Sequence, residues 1–282
     1  MPSATLLSQS ILSGIFVGGL YGLLGLGLSL SWGMLRQINL AHFALAFLGA
    51  YLTYQLGSHG WDPLLTLIVI VPAFFVFGVA MHWVFARLAV TPFNSLLATF
   101  GLAVIIESAI QFVWSADYRK LESAYAAVKF KIGALYLPLP ELISLALATA
   151  LAFATWVVLR HTELGKAMRA TAEDAPIAAA FGINTRLLER MLAGLCAAFA
   201  GVAGVALALT YTLAPSQIYS LIGVVFAVVM VGGLGNPFGP LIAGVAIGIS
   251  EAVTMAVTAP AWAPLVSFSL LIVVLLTRAR RT

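Results

Sequence analysis

"GIFVGGLYGLLGLGLSLSWGMLRQINLAHFALAFLGAYL", Gly14 to Leu52, contains one charged residue, Arg36. Upstream, Met1 to Leu35 is free of Asp, Glu, Lys and Arg, and downstream so is Ile38 to Trp61. The pattern repeats at Pro63–Ala86, Leu88–Ile106, Leu142–Leu159, Met191–Ser250 and Ala252–Thr277. Most of these runs reach the roughly 20 apolar residues that a transmembrane helix needs. The 282 residues are 62% hydrophobic and 9% charged, whereas soluble domains carry about 25% charged residues. A membrane barrel would show alternating segments of about 10 residues, and none is present. The sequence therefore reads as an all-α integral membrane protein, a polytopic helical bundle forming a single unit over 1–282.

Helices are expected near 6–32, 38–56, 64–86, 94–114, 138–159, 191–211, 218–232, 240–257 and 262–277. That gives about nine spans, with eight and ten as alternatives. The second and seventh are short, so either could be broken inside the membrane. The first run lacks a basic start and exceeds the apolar stretch of about 7–15 residues typical of a removable signal.

Lys and Arg set the orientation. Arg160, Lys166, Arg169, Arg186 and Arg190 crowd the 160–190 loop, and Arg278, Arg280 and Arg281 the tail. Arg36 and Arg87 lie in two short connections. With nine spans all four segments fall on the cytoplasmic side, and the N-terminus is outside. The 115–137 loop is then external despite Arg119, Lys120, Lys129 and Lys131.

Several function classes lack their residues. Cys196 is the sole cysteine and the four His residues are scattered, which excludes an internal disulfide and points to no metal site. The chain has no GxxxxGK[ST] loop, so a partner must bind any ATP that drives it, and the chain itself needs no cofactor. The net charge of +4 suits cytoplasmic loops and membrane lipid without calling for nucleic acid. No nucleophile constellation or acid–base pair marks an enzyme.

Gly14, Gly18 and Gly22 recur every four residues, as do Gly244 and Gly248, and Ala197, Gly201 and Val205 nearly repeat the spacing. Small residues on one face let helix backbones approach in lipid, where hydrophobic drive between helices is weak. Asn39 and His42 would cost several kcal/mol if turned to lipid without partners. Either Asn39 is an N-cap with His42 at the interface, or both belong to a discontinuous helix lining an aqueous path. Glu107 and Glu251 interrupt "GLAVIIESAIQ" and "AIGISEAVTM". Each must be partnered, wet or protonated. Helix-to-helix hydrogen bonds, drawing on Ser108, Gln111 and Ser250, and a proton path are both open. "GGLGNPFGP", Gly232 to Pro240, breaks the helix, as a turn or as irregular backbone covered by protein.

The 160–190 loop holds "ELGKAMRATAEDAPIAAAFGINTRLLER". Asp174 suits an N-cap and Pro176 the first turn. Ile177, Ala178, Ala179, Ala180 and Phe181 continue a short helix, and Gly182 supplies a left-handed stop. An apolar helix so delimited either packs on the protein's own spans or plugs a groove in a soluble partner.

This loop resembles the coupling segment of LivH-type permeases from branched-chain amino acid ABC importers. "INLAHFALAFLGAYL", "LLATFGLAVIIE" and "VVMVGGLGNPFGPLIAGVAIGISEA" resemble other stretches of that family, in order and over nearly the whole chain. The resemblance implies a bacterial inner-membrane subunit working with a second permease (LivM-like or an identical copy), two cytoplasmic ATP-binding subunits and a periplasmic solute-binding protein. It aligns Ala172, Glu173, Asp174 and Ala175 with the coupling motif, Gly182 with its terminating glycine, and Asn39 and His42 with an Asn-x-x-His element. The expected translocation path is Asn39, His42, Glu107 and Glu251. The expected ATPase contact is Ala172, Glu173, Asp174, Ala175, Ile177, Ala179, Phe181 and Gly182. The implied solute is leucine, isoleucine or valine. A permease for urea, amides or aromatic or organic acids, a proton-coupled transporter and a structural subunit are the alternatives.

Overall fold

The described parts of the charge-free runs are mostly helix, because in lipid the backbone must satisfy its own hydrogen bonds. The computed structural model describes residues 3–88 and 92–279, and Arg280 and Arg281 of the basic tail lie outside them. The long helices are α1 (Ala4–Leu35), α2 (Ala41–Ser58), α3 (Leu67–Arg87) and α4 (Pro92–Trp114). After a single-turn α5 (Ala124–Ala127) and strands β1 (Lys129–Ile132) and β2 (Leu135–Pro138) comes α6 (Leu139–His161). Two short helices, α7 (Glu163–Glu173) and α8 (Ala175–Ala180), lead into α9 (Thr185–Thr210). A 3-10 segment, Pro215–Leu221, runs into α10 (Ile222–Gly232), followed by α11 (Gly239–Val257) and α12 (Ala263–Ala279).

Among the described residues, seven helices are long and apolar enough to cross a membrane, counting Pro215–Gly232 as one. α2 and α12 stand where the second and ninth crossings were expected but are not among the seven. α2 carries His42, Thr53, Tyr54, Gln55 and Ser58, and the apolar helical run Pro260–Val274, which takes in most of α12, is shorter than a span. The seventh helix enters through a 3-10 segment that runs on into α10. The second is continuous and starts late.

α1 is central, and its glycine face meets α11. A side-chain carbon at Gly14 would stand 2.6 Å from Ile249 Cα, at Gly18 2.5 Å from Val245 Cα, and at Gly22 2.7 Å from Leu241 Cα. Those are backbone atoms, so no rotamer change relieves the clash. α9 does the same for α2 and α3. A side-chain carbon at Gly204 would stand 2.7 Å from Ala50 N, and one at Gly78 2.6 Å from Ala193 O. Around these contacts a core forms from Leu20, Leu24, Phe43, Phe47, Ile70 and Val205.

"GGLGNPFGP" is a turn. Gly233 and Gly235 take left-handed φ of 91° and 73°, and Gly235 N donates to Ser29 O at 3.1 Å on α1. The β-hairpin departs from the purely helical expectation. Lys129 pairs with Pro138 and Ile132 with Leu135, around a two-residue turn in which Gly133 has φ 62°. Nearby, the Tyr125 hydroxyl donates to Asp62 at 2.5 Å and holds that carboxyl below its usual range.

The α1–α11 contact yields a test. Gly18→Leu forces the two backbones apart and should destabilise the chain by about 3 kcal/mol or more, read as thermal unfolding in detergent. Gly101→Leu, where a side chain meets nothing within 4 Å, should leave stability nearly unchanged.

Candidate functional site

Asn39 is not the N-cap of α2. The α1–α2 link stays non-helical through Asn39, and the cap position is Leu40, with no side-chain cap bond. Thr99 of α4 takes over that role. Its hydroxyl accepts from Leu40 N at 3.1 Å, which leaves Asn39 free to turn inward. There it lines a cavity of about 10 Å³ with Ser31, Gln37, His82 and Thr99, room for about one water. Asn39 Oδ1 and His82 Nδ1 are buried and have no hydrogen-bond partner. His82 Nε2 lies 3.8 Å from Glu189 of α9.

His42 lies in the first turn of α2 and points the other way, into α1. Its Nε2 bonds the Leu24 carbonyl at 3.0 Å, which makes Nε2 the protonated nitrogen. A side-chain carbon at Gly27 would stand 2.5 Å from His42 Cε1, so that glycine makes room for the ring.

The two carboxylates have separate surroundings. Glu251 is 8% exposed and accepts hydrogen bonds from Tyr21 of α1 at 3.2 Å and from Ser267 of α12. Glu107 lies on the half-open face of α4. It accepts from Tyr219 at 2.6 Å and from Gln111 at 3.1 Å. Gln111 was legible as a neighbour. Ser250 bonds the Ala246 carbonyl instead. His42, Glu107 and Glu251 thus each keep their own partners, whereas Asn39 Oδ1 has none.

The loop segment has the local structure its sequence dictates. Asp174 accepts from Ile177 N at 2.9 Å, opening α8, and Gly182 ends it with φ 84°. α7 is built into the protein: Met168 packs with Leu26, Leu30, Leu159, Leu188 and Leu192. α8 is anchored through Ala178, 3% exposed, while Ile177 and Phe181 are 57% and 83% exposed. Ala179 is exposed beside them. One tie was missed from sequence. Arg36 donates to the carbonyls of Ala172 and Glu173, each at 3.3 Å. These are the open carbonyls at the C-terminal end of α7, where a cation is favoured. Arg36 itself caps α1 in a left-handed conformation, φ 54°, so one residue joins α1, the Asn39 link and the α7–α8 joint. A lone basic residue in a short polar link was the available signal.

A glycine-faced bundle of apolar helices with polar groups buried inside it is the architecture of a polytopic membrane protein. Residues 10–275 match the family described as branched-chain amino acid transport system / permease component, and the chain belongs to that family. It is a transport component and not an enzyme. It is 28% identical over 298 residues to the high-affinity branched-chain amino acid transport system permease protein LivH of Escherichia coli K12, covering 95% of this chain and 92% of that protein. The corresponding BraD protein of Pseudomonas aeruginosa is 24% identical over 295 residues, covering 99% and 96%. A probable LivH of Methanocaldococcus jannaschii is 30% identical over 265 residues, covering 86% and 80%. No solved structure matches the chain.

Glu251 offers a local test. Glu251→Gln keeps an acceptor oxygen for one hydroxyl and offers the other an amide N–H to accept, and should leave the unfolding temperature close to that of the parent. Glu251→Leu leaves two hydroxyls unpaired and should cost about 1–3 kcal/mol.

Proposed function

We propose that this chain is one half of the membrane pathway of an ATP-driven importer for branched-chain amino acids in a bacterial inner membrane. The observation that carries the reading is α8: a capped apolar helix on the arginine-rich side, anchored by one alanine and turned outward. Two cytoplasmic ATP-binding subunits supply the groove it enters, with Ala172, Glu173, Asp174, Ala175, Ile177, Ala179, Phe181 and Gly182 at the contact. A second permease subunit completes the path, and a periplasmic solute-binding protein delivers solute to the side of the N-terminus. The relatives' names supply the solute class. The nine-crossing count, with α2 and α12 as crossings, fits this sidedness.

In this reading ATP binding moves α7 and α8 as a unit, because Met168 and Arg36 tie them to the bundle. Arg36 passes the movement to the link bearing Asn39, and the Asn39–His82 chamber is where the inner end of the path opens. His42 pins α2 to α1 and moves with it. Glu107, Tyr219 and Gln111 face the second permease or the path, since lipid would leave their polar atoms without further partners. Glu251 keeps α1, α11 and α12 in register beside the path.

Two substitutions test the reading. Ala179→Asp places a carboxylate in a dry contact, a cost of several kcal/mol. It should release the ATP-binding subunits on purification and abolish ATP-driven uptake in proteoliposomes while the chain still inserts. Normal uptake would reject the contact. Arg36→Ala should leave ATP hydrolysis largely intact and cut uptake per ATP by about tenfold, a coupling loss of about 1.4 kcal/mol. An unchanged ratio would remove Arg36 from the transmission path.

A further inference from the structure

The end of α1 remote from Arg36 forms a second cavity with a different chemistry. Gln9 of α1 clamps the hairpin: its Nε2 donates to Tyr136 O and its Oε1 accepts from Tyr136 N, both at 3.0 Å. The hairpin, α1 and the first turn of α6 then enclose a crevice of about 410 Å³ lined by Phe16, Val17, Lys129 and Glu141. A deeper chamber of about 100 Å³ shares Phe16, Val17 and Glu141 and adds Leu20 and Ser144. Together they approach the volume of a small-molecule site.

The polar groups are arranged unequally. Glu141 Oε2 and Ser144 Oγ are buried with no hydrogen-bond partner, and Ser144 is only 1% exposed. They lie three residues apart on α6 and so share one face. A buried carboxylate oxygen left unpaired is costly, and beside a hydroxyl that can accept or donate, in a chamber also lined by Thr210 and Tyr211, it suits a donor with several hydrogens. Lys129, exposed on β1, supplies a cation at the mouth. Phe16, Val17 and Leu20 form the apolar part of the lining.

We propose that this crevice is an entry site that takes an apolar α-amino acid as its zwitterion. The ammonium sits between Glu141 and Ser144, the carboxylate faces Lys129, and the side chain lies along Phe16, Val17 and Leu20. The inference rests on the importer reading for the choice of amino acid and adds to it a place in this chain that discriminates amino acids from amines and acids. An ethanolamine phospholipid headgroup also pairs an ammonium with an anion, so the test separates the two.

The test uses the chain with its copurifying subunits in nanodiscs of phosphatidylcholine and phosphatidylglycerol. Ser13→Cys lines the same crevice, and the native Cys196 is buried, so a membrane-impermeant thiol reagent reports on this site. Leucine at about ten times its Kd should slow labelling by about tenfold. Isopentylamine and 4-methylpentanoate, each lacking one charge, should not. Glu141→Gln should abolish protection by leucine, and Ser144→Ala should weaken it. Lys129→Gln, on the exposed hairpin, should make isopentylamine as protective as leucine.

Absence of labelling in every condition, equal protection by leucine in Glu141→Gln, or protection by ethanolamine lipid alone would overturn the assignment. So would failure of both α6 variants to fold combined with an unchanged ligand preference in Lys129→Gln. Protection is measured without ATP, so it stands apart from the ATPase contact. Lost protection in nanodiscs with intact ATP-driven leucine uptake by the same complex in proteoliposomes removes the crevice only, whereas protection without such uptake removes the importer reading only.

Discussion

The bundle depends on close backbone contact between α1 and α11. Between helices in lipid the hydrophobic effect contributes little, so association comes from dispersion and from the loss of lipid contacts. Both grow as backbones approach, and approach is limited by the side chains between them. Gly14, Gly18 and Gly22 on one helix, with Gly244 and Gly248 on the other, remove that limit. α1 becomes a rod that also packs on α6 and α9 and reaches the hairpin at one end and α7 at the other.

Such packing decides how polar groups are used. A hydroxyl or carboxylate inside the bundle finds its partner on a neighbouring helix: Glu251 with Tyr21 and Ser267, His42 with the Leu24 carbonyl, Ser29 with the Gly233–Gly235 turn. These bonds fix register where apolar surfaces alone would slide. The exceptions are instructive. Asn39, His82, Glu141 and Ser144 each keep a buried atom without a partner, and they border the two cavities near the ends of α1. Tyr51 and Thr155 also hold a buried oxygen without a partner, but they do not line these cavities, so Asn39, His82, Glu141 and Ser144 mark the places where another state or a solute has something to bind.

Local features were legible in the sequence. The helices follow the charge-free runs, the glycine spacing names the packing face, and Asp174 and Gly182 delimit α8 because capping acts within a few residues. Contacts between distant residues were not legible. Of the two readings open for Asn39, the N-cap fails because Thr99, on α4, takes Leu40 N in its place. The partners of Glu107 and Glu251 at Tyr219, Tyr21 and Ser267 come from other helices. The hairpin carried its own signal, Lys129 to Ile132 alternating before Gly133, but a two-strand ribbon among helices is a weak pattern. The crossings were harder to count because α2 buries polar residues inside the protein, where they lower apolarity without meeting lipid.

The central claim is mechanical: α8 is held by a nucleotide-hydrolysing partner and moves with it. Single cysteines at Ile177 and Phe181, both outward-facing, allow a direct measurement by short crosslinkers in the assembled complex. Capture of the ATP-binding subunit, with a yield that changes when ATP is trapped, is the result this account requires. Capture of lipid-facing or neighbouring permease surfaces alone, in every nucleotide state, would contradict it.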